Sequence, residues 1–376
     1  MNVFLSFLAI LFLIGMIKHR SVIRTCRLLM FGISILTDGR SRFINYLTPG
    51  IDCLDTTYSD NSNDQALRIY QPRNRSKPLP AAIIYHGASP KGLNHSAMNL
   101  LARNLARLGI RVFLPELPKL QELYFSPETY PRIKRFYHQV IERPDVLSDK
   151  ILLVGVSFSG GVVVKASTEP DINPAGVISF GSYFNLSETL RFFFTGLAEF
   201  EDIRIDMVPH EYTKAVWFWN YLNQLELPFE IEHVCQCIGH FIRDERKLVE
   251  KVFLECSQPQ RDFLKQVFDP RDRTSIAYLN QAETRIQPMV DEISPHKFID
   301  QIKVPLFIVH GIQDNMVPYT QALALGNALT QAGKTHYQYI MRIYAHTETT
   351  KSSLSEFVSE MRALFKLLNN LLKVLE

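Results

Sequence analysis

The sequence is poor in cysteine, in charge of one sign and in repeated or low-complexity segments. Its five cysteines are an odd number scattered over 376 residues, which does not indicate a disulfide framework. A reducing compartment is therefore the simpler expectation. The formal net charge is only +3, and no basic stripe is interleaved with aromatic side chains. Because nucleic-acid-binding surfaces usually carry such a stripe, we expect no nucleic acid among the partners.

Long hydrophobic runs are also lacking, except near the N-terminus. Residues 3–17 are almost wholly apolar, and Lys18 and Arg20 follow them. As a helix this run is roughly 22 Å long, which is borderline for a hydrocarbon core of ~30 Å. A secretory signal peptide carries its positive charges before the apolar run and a small-residue cleavage site after it. Here the positive charges follow the run, and no such cleavage site is present. We predict a single-pass membrane anchor at 1–20 with the rest in the cytoplasm; an interfacial or core-packed helix and a cleaved signal stay open.

Residues 21–54 form a basic, amphipathic linker in this interpretation. Their apolar stretch at 28–36 is too short to span a membrane. It either lies along the membrane surface or packs on the body of the protein. The whole chain is 46% hydrophobic, which allows a large core after the linker.

From residue 55 onward, apolar segments typical of strands alternate with amphipathic segments typical of helices. The predicted strands cover 55–58, 67–70, 81–85, 110–114, 151–154, 176–180, 304–310 and 336–343. The predicted helices include one capped by Ser96 and others at 130–141, 320–331 and 351–372. This alternation indicates an α/β protein with a mostly parallel sheet flanked by helices. Residues 185–294 are helix-like and rich in aromatics, which predicts a helical cap inserted into a core formed by 55–184 and 295–376.

The stretch after the predicted strand 151–154 has the pattern of a nucleophile elbow. Small residues and a serine follow the strand at once, and the next residues suit the first turns of a packed helix. Such an elbow consists of a strand, a sharp turn with the serine at its tip and a helix, and Ser157 has this position here. The tightness of the turn requires small residues two before and two after the serine, here Gly155 and Ser159. The usual G-x-S-x-G pattern has glycine two residues after the serine, where this sequence has Ser159. Gly160, the next residue, leaves room for the following close contact of the turn.

A second serine leaves an alternative open. Ser159 could itself be the nucleophile, with Ser157 before it and Gly161 after it. The position of Gly155 directly at the strand end favours Ser157, because the nucleophile belongs at the strand-to-helix junction.

Two further residues complete a candidate catalytic triad. A serine hydroxyl needs a base, and the base needs a group that orients it. Asp314 follows one predicted strand end in a loop, and His346 follows the last predicted strand in another. Because chemistry in open α/β sheets gathers at the carboxyl ends of strands, we expect these two residues beside Ser157. Glu188 is an alternative acid.

An acyl-transfer site also needs hydrogen-bond donors for the oxyanion. The first expected donor is the backbone N–H of Phe158, directly after the serine. The second is the N–H of Ala88 in the loop after the 81–85 strand, where Gly87 allows close backbone approach. His86 is expected to orient this loop rather than to take part in the chemistry.

With these matches, the chain from about residue 55 to the C-terminus resembles the α/β-hydrolase superfamily. The resemblance implies Ser157 as nucleophile, His346 as base and Asp314 as the acid that orients it, with no metal or cofactor. A serine rather than an aspartate at the elbow implies cleavage of an ester, thioester or amide. We expect a carboxylesterase or lipase-like enzyme acting on an apolar or lipidic ester. A thioesterase or amidase, or a non-catalytic hydrolase-like binding protein at the membrane, are the alternatives.

Two weaker patterns lie in the predicted cap. His233, Cys235, Cys237 and His240 carry metal-binding atoms, but their spacing matches no zinc pattern. Packing of the cap helices explains them better, with cysteine acting as a small apolar residue. The aromatic run 216–222 is typical of a buried face and could also line an acyl pocket.

Overall fold

The structure is a computed structural model that describes residues 25–26, 28, 30–32, 34, 50–61, 63–73, 77–125, 128–342 and 354–376, with side chains of the last range from Ser359 onward. The predicted anchor and the predicted base His346 lie outside these residues. Among the residues that are described, no helix is both long and apolar enough to cross a membrane.

The centre of the molecule is a sheet of eight strands. In chain order its strands are β1 (Ile51–Asp60), β2 (Asn63–Pro72), β3 (Leu79–Tyr85), β4 (Arg111–Pro115), β5 (Val146–Val156), β6 (Gly176–Phe180), β9 (Leu306–Gly311) and β10 (His336–Met341). Their spatial order is β1-β2-β4-β3-β5-β6-β9-β10. The pairs β1–β2 and β2–β4 are antiparallel, and the other pairs are parallel. The predicted, mostly parallel sheet is confirmed.

Helices connect the strands and cover both faces of the sheet. They are α1 (Ser96–Arg107), α2 (Pro118–Gln121), α3 (Thr129–Ile141), α4 (Phe158–Ala166), α5 (Leu186–Thr195), α6 (Tyr212–Tyr221), α7 (Glu232–Ile242), α8 (Arg246–Glu255), α9 (Gln258–Phe268), α10 (Ile276–Ile293), α11 (Thr320–Gln331) and α12 (Leu354–Val374). On β5, Leu153 joins the core that contains α3 and α4, whereas Val154 joins the core beneath α1 and α12. Side chains of a strand alternate between its faces, so each inner strand contributes to both cores.

The segment between β6 and β9 contains α5 to α10 and a small hairpin. Its helices pack around buried aromatics such as Trp217 and Phe218. The hairpin pairs β7 (Leu197–Phe200) with β8 (Ile203–Asp206), and the expectation of a helical segment did not include it. Gly196 explains the change of direction. Its φ is +70°, and a Cβ there would lie 2.1 Å from the carbonyl oxygen of Met207, so α5 ends and the chain turns.

Several boundaries differ from the sequence expectations. The strand β1 begins at Ile51, four residues before the predicted start of the core. Helix α1 begins at Ser96 itself, and the N-cap is His95, whose side chain makes no capping bond. In the linker, Leu28 and Phe31 are buried against the core beneath α1 and α12. The described part of this linker therefore packs on the body of the protein.

Candidate active site

Ser157 lies between β5 and α4 in a backbone conformation that L-residues rarely adopt. Its φ is 54° and its ψ is −126°. Two backbone hydrogen bonds hold it there: the Ser157 N–H donates to the Phe180 carbonyl at 2.8 Å, and the Gly160 N–H donates to the Ser157 carbonyl at 2.9 Å. Such a conformation costs of order 1–3 kcal/mol and persists only where the surroundings enforce it.

The glycines around Ser157 are required by close backbone contacts. A Cβ on Gly155 would lie 2.4 Å from the Ser159 carbonyl oxygen and 2.6 Å from the Cα of Gly160. A Cβ on Gly160 would lie 2.5 Å from the Cβ of Ser182. Strand β5 and helix α4 therefore meet without room for side chains, which is the contact that the elbow pattern predicts.

Ser159 has a different environment from Ser157. Its side chain is fully buried. Its hydroxyl donates to the Tyr85 carbonyl at 2.7 Å and accepts the Val156 N–H at 3.0 Å. The hydroxyl thus ties the carboxyl end of β3 to that of β5, whereas Ser157 is half-buried and lines a cavity.

The loop after β3 lies directly against Ser157. A Cβ on Gly87 would be 2.9 Å from the Cβ of Ser157 and 3.5 Å from its Oγ, so only a glycine allows this approach. The next residue, Ala88, lines the same cavity. Within the described part of the chain its N–H makes no hydrogen bond. On the other side, Phe158 begins α4, where the first N–H groups have no partner inside the helix.

His86 fixes the conformation of this loop. Its Nε2 accepts the Leu117 N–H at 3.1 Å, so the proton is on Nδ1, which donates to the Gly87 carbonyl at 2.8 Å. Burial lowers the pKa of His86, partly opposed by the hydrogen bond to Gly87. The neutral ring therefore links β3, the loop and the segment after β4.

Asp314 is buried in the loop after β9. Its Oδ1 accepts the N–H groups of Met316 at 2.8 Å and Val317 at 2.9 Å. Its Oδ2 lies 3.4 Å from Nε2 of His310, which also contacts the Val317 carbonyl at 2.8 Å. The carboxylate is therefore held by its own loop. Sequence reasoning missed His310; its position four residues before Asp314 at a strand end is the signal that could have found it.

The neighbours of Asp314 line the cavity at Ser157, whereas Asp314 itself is buried in its loop. Gln313 and Asn315, on either side of Asp314, line the same cavity as Ser157. Strand β10 pairs with β9 so that Met341 lies opposite Gly311. The other candidate acid, Glu188, accepts hydrogen bonds from Asn185 and Gln321 and is not part of the cavity lining.

The cavity at Ser157 has a volume of about 1570 Å³. Its lining is mainly apolar and includes four methionines, whose flexible side chains adapt to varied shapes. They are Met98, Met207, Met316 and Met341. Residues from the segment between β6 and β9 also line it, among them Val216 and Ile242. That segment therefore faces the candidate nucleophile.

The cysteine and histidine pattern in α7 has structural contacts. Cys237 is buried, which raises the pKa of its thiol to about 12, and its Sγ contacts the Val249 carbonyl. His240 pairs with Glu245 at 2.6 Å. Among the residues whose placement is described, no group of three or more His, Cys, Asp or Glu side chains is arranged to hold a metal ion.

Known proteins resemble parts of this sequence and its fold. A family model described as BD-FAE matches residues 260–329, and no curated protein matches the sequence. An acylaminoacyl peptidase in complex with Z-Gly-Gly-Phe-chloromethyl ketone is similar with a TM-score of 0.50 and 14% identity. The chain has the α/β-hydrolase fold. This similarity covers 89% of the chain but only 45% of the peptidase, so the chain spans less than half of that protein's length.

Two esterases are also among the solved structures to which the chain is similar. Brefeldin A esterase, described as a bacterial homologue of human hormone sensitive lipase, has a TM-score of 0.49 and 12% identity, and the match covers 93% of this chain and 85% of the esterase. A mutant of the esterase rPPE has a TM-score of 0.48 and 15% identity, with coverage of 86% and 84%. At these identities the similarity concerns the fold alone.

Proposed function

We propose that this protein is a serine hydrolase that cleaves a carboxylic ester with an apolar or lipidic group. One observation carries the proposal: Ser157 is held at φ 54° at the strand-to-helix junction, against a glycine loop and at the wall of a large apolar cavity. Backbone strain of this kind clusters at functional sites. A packing role alone does not require a half-exposed hydroxyl in a strained conformation.

In the proposed reaction, Ser157 attacks the acyl carbon and forms an acyl-enzyme, which water then hydrolyses. The N–H groups of Phe158 and Ala88 stabilise the oxyanion of each tetrahedral intermediate. His346 takes the proton of Ser157 and gives it to the departing alcohol, then takes a proton from water and returns it to Ser157 as the carboxylic acid leaves. Asp314 orients His346 throughout. The register of β9 and β10 supports these roles, because Gly311 of β9 lies opposite Met341 of β10. Asp314 is three residues after Gly311, and His346 is five residues after Met341. The two strands that precede Asp314 and His346 in the sequence are thus adjacent and parallel, and they end at the same edge of the sheet.

A fluorophosphonate probe tests the proposal directly, because it reacts with activated serines. The wild type and Ser159→Ala should label, Ser157→Ala should not, and the modified peptide should contain Ser157. Since Ser159 is a structural residue here, labelling that is lost in folded Ser159→Ala but kept in Ser157→Ala would overturn the assignment. A folded wild type that never labels would favour the non-catalytic binding protein.

The bond that is cleaved requires a second comparison. Matched oxyester, thioester and amide substrates with the same acyl group should show the highest kcat/KM for the oxyester. A higher value for the thioester or the amide would reassign the protein to the corresponding alternative. Membrane anchoring through residues 3–17, with the catalytic part on the cytoplasmic side, stays a prediction; fractionation of cells with and without this segment tests it.

A further inference from the structure

The cavity at Ser157 continues away from the loops, between one face of the sheet and two helices. We call this part the apolar arm. From the sheet it is lined by Val154, Ile178, Phe307 and Val309; from α1 by Leu101 and Leu105; and from α12 by Leu364, Leu367, Leu368 and Leu371. Phe31 of the linker also lines it. The segment between β6 and β9 also lines the cavity, through residues such as Val216 and Ile242.

The strand register connects the apolar arm to the nucleophile. Val156, directly before Ser157, lies opposite Phe180 of β6, and both line the cavity. Two residues earlier, Val154 lies opposite Ile178 on the same face of the sheet. Successive residues on one face of a strand are ~7 Å apart. The lining therefore begins beside Ser157 and extends into the core along the strands.

Helix α12 gives the arm its length. The lining residues Leu364 and Leu371 are seven positions apart, which corresponds to ~10 Å along a helix axis. Leu101 and Leu105 on α1 are four positions apart, so they lie on one side of that helix.

The chemistry of the arm is uniform. Every side chain that defines it is a hydrocarbon without a hydrogen-bond donor or acceptor. The charged groups of the cavity lining, such as Lys91, Arg243 and Asp244, belong to loops and to the end of α7 instead. A polar group placed in the arm would lose its hydrogen bonds to water without replacement. An alkyl chain would gain about fourfold in affinity for each methylene that it buries.

We propose that the apolar arm binds the aliphatic chain of the acyl group while Ser157 holds its carbonyl carbon. This assignment rests on the proposed function, since it requires Ser157 to form an acyl-enzyme. It predicts that the aliphatic chain of the substrate lies between the sheet, α1 and α12. It excludes binding of this aliphatic chain beneath the helices between β6 and β9.

A photoreactive probe tests the assignment in the wild-type protein. An alkyl fluorophosphonate with a terminal diazirine on a long chain is attached to Ser157, irradiated, and the crosslinked peptide is identified by mass spectrometry. Crosslinks to α1 or α12 are expected. Crosslinks to α6 or α7 would overturn the proposal, because the chain would then lie on the other side of the site. Failure of the probe to react with Ser157 would overturn the proposed function itself.

Chain-length selectivity gives a second, independent readout. Leu364→Trp, at a half-buried lining position, should lower kcat/KM for p-nitrophenyl laurate at least ~10-fold, because it removes the burial of several methylenes. Its kcat/KM for p-nitrophenyl butyrate should fall much less than its kcat/KM for p-nitrophenyl laurate. Ala363→Trp, on the exposed side of α12, is the matched control and should change neither value. Equal loss with both esters in a folded Leu364→Trp, or no loss with either, would count against the arm.

Discussion

Replacing Ser157 with glycine should give a more stable protein than replacing it with alanine. Both substitutions should abolish reaction with a fluorophosphonate. The reason for the difference in stability is the backbone of the elbow. At φ 54° and ψ −126°, a residue with a Cβ is strained, whereas glycine adopts positive φ values at little cost. Ser157→Ala keeps the Cβ and therefore the strain, so the two variants differ mainly in backbone energy.

The size of the gain follows from two opposing effects. Release of the strain stabilises the folded state by about 1–3 kcal/mol. The greater freedom of glycine in the unfolded chain costs about 0.5–1 kcal/mol. The free energy of unfolding of Ser157→Gly should therefore exceed that of Ser157→Ala by about 1 kcal/mol, and by no more than about 2.5 kcal/mol.

Urea denaturation, followed by circular dichroism and by the fluorescence of Trp217 and Trp219, measures this difference. Both variants should unfold with the same slope in denaturant, so that the midpoints can be compared. A Ser157→Gly variant that is equal to or less stable than Ser157→Ala would show that Ser157 is relaxed in solution. The main observation behind the proposed function would then be lost.

Three further perturbations test the surroundings of the site. Gly155→Ala should cost about 1–3 kcal/mol or more and reduce labelling, since its Cβ would meet fixed backbone at 2.4 Å, whereas Gly333→Asn, in open space at φ +64°, should be nearly neutral in the same denaturation assay. Burial lowers the pKa of His86 below its usual 6.5, so as the pH falls the unfolded chain binds a proton at this residue before the folded protein does. The free energy of unfolding should therefore be highest above pH 6.5 and fall below it. The fall should be less steep in His86→Asn, and parallel pH profiles of the wild type and this variant would refute the prediction. Lys214→Met should lower the free energy of unfolding by about 3–5 kcal/mol, because the Asp272 carboxylate, 3.7 Å from the buried ammonium, would lose its partner. The ammonium also donates to the carbonyls of Gln266 and Asp272 at 2.9 Å. Exposed Lys265→Met is the control, and equal effects of the two substitutions would contradict the reasoning.

The sheet and the elbow could be predicted because their sequence patterns are local. A buried strand in a parallel sheet is a continuous apolar run, and 151–154 has that pattern. The hairpin β7–β8 could not be predicted in this way. Its strands have four residues each, with partly exposed side chains, so they carry too little periodicity. The contact of His310 with Asp314 was missed for another reason: both residues are polar, and only tertiary packing shows that they are buried together.

The two serines of the elbow show what decides between chemistry and structure. They carry the same hydroxyl, are two residues apart and each have a glycine nearby, so the sequence favours one only by its distance from the strand end. In the fold, the Ser159 hydroxyl lies beneath the turn, where the Val156 N–H and the Tyr85 carbonyl are within hydrogen-bonding distance. A glycine at this position would leave both groups to find other partners. The departure from G-x-S-x-G is therefore compatible with a working elbow: the extra hydroxyl joins β3, which carries the glycine loop, to β5, which carries Ser157. In the proposed reaction, this link favours a fixed distance between the proposed oxyanion donors and Ser157, which catalysis by preorganised hydrogen bonds requires.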